Sequence, residues 1–213
     1  MDLTEFRKDM EALREKLAIK SEIKEEIIKI TRKIVQESGL SIISLHKGER
    51  NISEKHFLEA KKYLEMLKEM LLKNEEFIYS GEVLVAFQEF CEAMLFKTFI
   101  EEKRLLNYRE APVLAETYVT SLADFIGELR RLAIESLKEQ KLEYALEILE
   151  LMENIYYELM STLLVSNIHG LRRKCDVARS LIEKTKSDIL FEIRRVEIEK
   201  SLEKFEEKIS GRK

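Results

Sequence analysis

Proline occurs once in this chain of 213 residues, at Pro112, and glycine only six times. A β-sandwich or barrel asks for turn residues every ~8–12 positions, and this chain does not carry them. Lys, Glu, Leu and Ile dominate instead, the composition of long helices. The expected fold class is therefore all-α, a single-domain antiparallel bundle of about six to seven helices with short connections, covering 1–213. At 45% apolar and 37% charged residues, the chain can bury a core and is not generally disordered.

Apolar spacing places the helices. Leu13, Leu17, Ile23, Ile27, Ile30, Ile34 and Leu40 recur between Lys and Glu from Leu3 to about His46, an amphipathic helix of about forty residues that has room to lie along a partner. Gly39 could bend it or pack closely. Gly48 breaks the pattern. Ser53 is placed to cap a second helix running to Lys73, with Phe57, Leu64, Leu67 and Leu71 inward. The third helix is expected over Glu82 to Leu106. The fourth follows the loop Asn107 to Pro112 and ends near Gln140. The fifth covers Tyr144 to about Leu164, and the last begins near Leu171 and passes Phe205. The closing Gly-Arg-Lys is expected to fray.

The net charge of −4 announces no global affinity for nucleic acid. Cys91 and Cys175 form no CxxC pair and read as reduced thiols of an intracellular, cytoplasmic protein. The opening MDLTEFRKDMEALREK has no apolar signal-peptide core. No apolar run approaches the ~18 residues of a membrane span, so no membrane association is expected.

The candidate chemistry lies between Gly81 and Arg131. Glu89 and Glu92, at i,i+3, share one helix face and interrupt a stripe otherwise made of Val85, Phe96 and Phe99. Like charges at that spacing cost roughly 0.2–0.5 kcal/mol, and buried carboxylates need a partner. Asp124 and Glu128, at i,i+4, share a face of the fourth helix. Two such helices together offer four carboxylates, an oxygen donor set suited to Mg²⁺, or Mn²⁺, rather than zinc. The plain alternatives are an ion-pair network around Glu89 and Glu92, and a solvated face formed by Thr117, Thr120, Ser121, Asp124, Glu128, Arg131 and Glu135. Arg131 could pair with Glu128. Gly127 costs about 1 kcal/mol against alanine in a helix and suggests close packing.

Other chemistries fall away. None of His46, His56 and His169 has Glu three residues before it, which excludes the paired ExxH motifs of a di-iron bundle; the three read as loop or surface residues. No GxGxxG, GxxxxGK[ST] or GxSxG occurs. Cys91 reads as a small packed hydrophobe. The start of the last helix is basic: 167–195 holds eight Lys or Arg against four Asp or Glu, led by Arg172, Arg173, Lys174 and Arg179. Such a patch can meet phosphates or simply be a solvated face.

With ADFIGELRR (Ala123 to Arg131) the chain resembles the translin superfamily, in particular the branch of translin-associated factor X and its prokaryotic or archaeal members. QEFCEA (Gln88 to Ala93) is similar to that branch's acidic helix, and LMENIYYELM and GLRRKCDVARSLIEK to the family's last two helices. The likeness extends over roughly Lys33 to Arg195. It implies a seven-helix fold, octameric shells enclosing short nucleic acid, and a metal-dependent endoribonuclease whose carboxylates fall on Glu89, Glu92, Asp124 and Glu128. It adds Arg131 as a candidate for phosphate contact or for orienting Glu128, and leaves Arg172 and Arg173 as further nucleic-acid candidates. An acidic position one turn before Glu89 is Ala86 here, and the loop Arg104 to Pro112 is short. The implied partners are RNA or single-stranded DNA, further copies of the chain, and a second translin-like subunit. The implied rival is a shell that binds nucleic acid without cutting it; a third reading is a helical scaffold.

Overall fold

The helical periodicity is realised as six α-helices in a computed structural model that describes residues 3–210. They are α1 (Thr4–His46), α2 (Arg50–Lys73), α3 (Gly81–Glu102), α4 (Ala115–Lys138), α5 (Leu142–Val165) and α6 (Leu171–Ser210), with 3-10 turns at Glu75–Phe77 and Tyr108–Glu110 and no strand among the described residues. The closing 211–213, expected to fray, lies outside those residues. No described helix is long and apolar enough to cross a membrane. The chain divides into two compact units, Met1–Thr117 and Tyr118–Lys213.

In the first unit α1 packs on α2 and α3. Its core is Ile27, Ile30 and Ile34 of α1, Leu64, Leu67 and Leu71 of α2, and Val83, Phe87 and Phe90 of α3. Each fully buried Leu or Ile contributes roughly 1.5–3 kcal/mol. The apolar stripe of α1 outruns this core: Phe6, Leu13, Leu17 and Ile19 are all exposed. Gly39 does not pack closely, for a Cβ there meets nothing within 4 Å, and α1 runs through it without a break.

Ser53 does not cap α2. The helix starts at Arg50, and the Ser53 Oγ forms a buried hydrogen bond with Ser41 Oγ of α1 at 2.9 Å. A tertiary partner has replaced the local one, since a buried hydroxyl must be bonded. His56 pairs with Glu37 at 2.6 Å, and the His46 ring stacks on Phe96 with centroids 4.4 Å apart. Of the three histidines only His169 is a plain exposed loop residue. Lys97 bridges Glu54, at 2.8 Å, and Glu101. Burial works against its charge, but the hydrogen bonds it donates to Glu101 and Glu54 outweigh it and hold the pKa above the usual value.

The third helix ends earlier than its pattern, at Glu102, because Lys103 turns into the left-handed region at φ 57°. A polar knot then shapes the loop. Arg104 donates to both Glu110 oxygens at 2.8 Å and to Glu102 at 2.7 Å, while Glu110 accepts from the Asn107 N–H at 2.9 Å in a capping box. The chain passes Pro112 before α4 begins at Ala115.

In the second unit α5 and α6 form a hairpin by three- and four-residue spacing. Ala145, Ile148, Met152, Ile155 and Leu159 of α5 are buried, as are Leu171, Cys175, Ala178, Ile182, Thr185 and Ile189 of α6. Lys186 joins the pair through Glu153 at 2.6 Å. Burial, then Asp176, pushes the Cys175 thiol up, which keeps it protonated. The fourth helix is tied to α6 by Arg130, whose Nη1 donates to Thr185 Oγ1 at 2.8 Å and Nη2 to Asp188 Oδ2 at 2.9 Å. Thr185 in turn donates to the Leu181 carbonyl at 2.8 Å.

Two predictions follow from these contacts. Arg104, then the Asn107 N–H, holds the Glu110 carboxyl below its ordinary 4.5, at about 2. A depressed carboxylate contributes stability above its unfolded pKa and loses it as pH falls through the folded value. An NMR titration of Glu110 is expected to give a midpoint near 2 in the wild type, and a higher one in Arg104→Ala, still below the ordinary value because Asn107 keeps donating to the carboxylate. For α4, Arg130→Ala is expected to lower stability in urea by about 1–3 kcal/mol. The neighbouring Arg131→Ala is expected to change it by less than about 1 kcal/mol, as Arg131 makes only an exposed pair.

Candidate functional site

The sequence places Glu89 and Glu92 one helical turn apart on α3, and Asp124 and Glu128 one turn apart on α4. Both helices are continuous across these positions, so each carboxylate pair shares a face as its spacing requires. Glu92 is 8% exposed, and Glu89 is half-buried. A charge so placed must be paired, and all four candidates take part in a hydrogen bond, ion pair or electrostatic interaction.

The face of α4 is not the solvated surface its polarity suggests. Thr117, Thr120 and Ser121 are buried, while Asp124 and Glu128 are half-buried. Thr117 meets the cost of its burial locally, donating to the Leu114 carbonyl at 2.8 Å. Nor does Gly127 mark a tight contact. A Cβ there lies 3.9 Å from Leu181 Cδ1, an ordinary van der Waals distance.

Asp124 has a definite partner in its own unit. Lys174 Nζ donates to Asp124 Oδ1 at 2.7 Å and to Oδ2 at 2.6 Å. The two side chains are 27% and 28% exposed. They stand at a groove of about 470 Å³ lined also by Ala123, Gly127, Gly170, Arg173, Val177 and Leu181. The turn into α6 passes Gly170 at φ +77°, where a side chain would be strained. Arg173 thus lies on the groove wall, and Arg172 is exposed on the same first turn. Arg131 is exposed and pairs with Glu135 at 3.4 Å.

The basic run was visible in the sequence, but the role of Lys174 was not. It pairs with Asp124 across fifty positions, a separation at which no periodicity links charges. Arg130 was missed for the same reason, while its neighbour Arg131 drew notice.

All four candidates offer carboxylate oxygen, the donor that a hard cation takes, but both oxygens of Asp124 accept hydrogen bonds from the Lys174 ammonium. Among the described residues no group of three or more His, Cys, Asp or Glu is placed so that it could hold a metal ion, so the four candidates do not come together as one ligand set. Mg²⁺ does not require one, since it is commonly held by one or two carboxylates with water and substrate phosphate completing the octahedron.

The comparisons agree with this architecture. MJ0175, an uncharacterised protein of Methanocaldococcus jannaschii, is 30% identical over 191 residues, which cover 88% of this chain and 84% of that protein. The solved structure of AfC3PO with duplex RNA is 32% identical, with a TM-score of 0.78, over 88% of this chain and 97% of that one. Apo-NeC3PO, at 24% identity, shares the fold with a TM-score of 0.77 over 86% and 96%. The Translin family model matches residues 22–194, running through both compact units. This chain belongs to the translin family.

Proposed function

We propose that this protein is a Mg²⁺-dependent endoribonuclease, able to use Mn²⁺, that cleaves small single-stranded or structured RNA inside an oligomeric shell in the cytoplasm. The observation that carries the reading is the pair of acidic helix faces, Glu89 with Glu92 and Asp124 with Glu128, in a chain 32% identical to AfC3PO, a protein whose structure holds duplex RNA. That complex widens the expected ligand towards paired RNA.

Glu89, Glu92, Asp124 and Glu128 are the residues to hold the ion, with RNA phosphate oxygens completing its coordination. A Mg²⁺ ion bound there supplies Lewis-acid polarisation of the phosphodiester and an acidified water. Helix geometry fixes each carboxylate pair before substrate arrives, so little reorganisation is left to the reaction. Arg172 and Arg173 present exposed guanidinium groups to the RNA backbone, and Arg131 is a further, weaker contact. The exposed apolar residues at the start of α1 and the end of α6, including Phe6, Leu13, Ile198 and Phe205, suit contacts between subunits. Copies of this chain, eight by the family's pattern, or a second translin-like subunit would cover them.

One observation favours a second reading. With an ammonium on both oxygens of Asp124, that carboxylate is neutralised without any metal, as suits a shell that holds RNA or single-stranded DNA and does not cut it. Cleavage and binding measured together separate the two. Wild type with Mg²⁺ is expected to cut a short labelled RNA, while Glu92→Gln and Asp124→Asn keep RNA affinity and lose about 100-fold or more in rate. Equal binding by all three with no product from any would establish the holding shell instead.

A further inference from the structure

One seam of three- and four-residue spacing runs the length of α1 and meets two different surroundings. Ile27, Thr31, Ile34, Ser38, Ser41 and Leu45 lie on it and are buried in the first unit. Towards the N-terminus the same spacing continues through Lys24, Lys20, Leu17, Leu13, Met10 and Phe6, and there it is open. Phe6, Leu13 and Leu17 are exposed, and Met10 is half-buried. Lys20 marks the boundary, for its Nζ lies 3.3 Å from Glu76 and over the Phe77 ring of its own unit. The end of α6 carries a matching stripe. Ile198, Leu202 and Phe205 recur at four and three residues and are all exposed. Arg195 bounds them, paired with Glu192 and Glu199.

Both stripes lie outside the residues 22–194 that the Translin family model matches, and both are open in the single chain, so their cover comes from another molecule. The flanking charges say which. Laid antiparallel with Leu13 opposite Leu202, the two stripes give three apolar layers, Leu17 on Ile198, Leu13 on Leu202 and Met10 on Phe205. The flanks then set Arg14 beside Glu199 and Arg7 beside Glu206, opposite charges at both positions. The next layer brings Lys20 to Arg195, each already paired with its own acids, and the seam stops there. Other pairings match less well. Two antiparallel copies of the α1 stripe set Arg7 against Arg14, and two of the α6 stripe set Glu199 against Glu206. A parallel α1–α6 pair sets Asp9 against Glu206. Parallel pairs of like stripes avoid like charges but leave Glu206 facing Ser201.

We propose that the start of α1 pairs with the end of α6 of a second copy of this chain, as a short antiparallel two-helix coiled coil with Leu13 opposite Leu202. This deepens the oligomeric assembly of the reading above and rests on it, but not on the nuclease chemistry. Three layers are few for a free coiled coil. Here both helices are already formed and anchored in their units, which removes most of the ordering cost. Every copy carries one stripe of each kind, so every copy can both give and receive, and the repeated contacts reinforce one another.

Disulfide trapping in the full chain tests the pairing. Leu13→Cys and Leu202→Cys chains are co-expressed, purified together and oxidised. Leu13 and Leu202 are exposed, so neither substitution disturbs a core, and the native Cys91 and Cys175 are buried. The mixture is expected to give a dimer linked between positions 13 and 202, while each variant oxidised alone gives none. Arg7→Glu in the first chain is expected to slow the linkage about threefold or more, and Glu206→Arg in the second to restore it. A linked dimer from Leu13→Cys alone would overturn the pairing in favour of like stripes. A disulfide confined to one molecule of the double variant would overturn it in favour of a cover from the same chain. If wild type sediments as an oligomer while the mixture does not link, the pairing is overturned and the assembly stands. If wild type sediments as a monomer at every concentration, both fall.

Discussion

The chemistry available on α4 depends on how α6 holds it. Two cationic side chains make that attachment at opposite ends of a short stretch. Lys174 binds Asp124, and Arg130 binds Asp188 and Thr185. The hydroxyl of Thr185 sits within the apolar stripe that α6 turns towards α5. Its bond to the Leu181 carbonyl leaves an acceptor for Arg130, so a polar group in the stripe is satisfied without opening the hairpin. The two attachments differ in kind. A guanidinium shared between a hydroxyl and a carboxylate is oriented on two sides, whereas the Lys174 ammonium is held by the two oxygens of one carboxylate.

How much of this was legible in the sequence follows from what each feature depends on. Helices are written in local periodicity, and all six lie where the spacing of Ile, Leu and Phe put them. The failures occur where a distant partner overrides a local preference. Ser53 has the chemistry of a cap, but Ser41 twelve residues earlier claims its hydroxyl. The third helix continues in pattern to Leu106, yet the left-handed turn at Lys103 stops it, and the knot of Arg104 and Glu110 shapes the loop that follows while Leu106 stays buried. Thr117, Thr120 and Ser121 looked solvated because polarity was read as exposure. Small hydroxyl residues can bury themselves on a helix by bonding back to its carbonyls.

The candidate site divides the same way. The pairing of acids within each helix is a matter of spacing and could be read directly. The resemblance of QEFCEA and ADFIGELRR to the translin family, now shown as membership over residues 22–194, singled out those acids among 41 Asp and Glu residues. What neutralises Asp124 could not be read, since it comes from a residue fifty positions away.

The net charge of −4 is compatible with RNA as ligand on these terms. Phosphate binding responds to local charge, and its salt dependence counts the cations that meet phosphates, not the total. Arg172 and Arg173 are exposed on the first turn of α6, and the ammonium beside them is committed to Asp124.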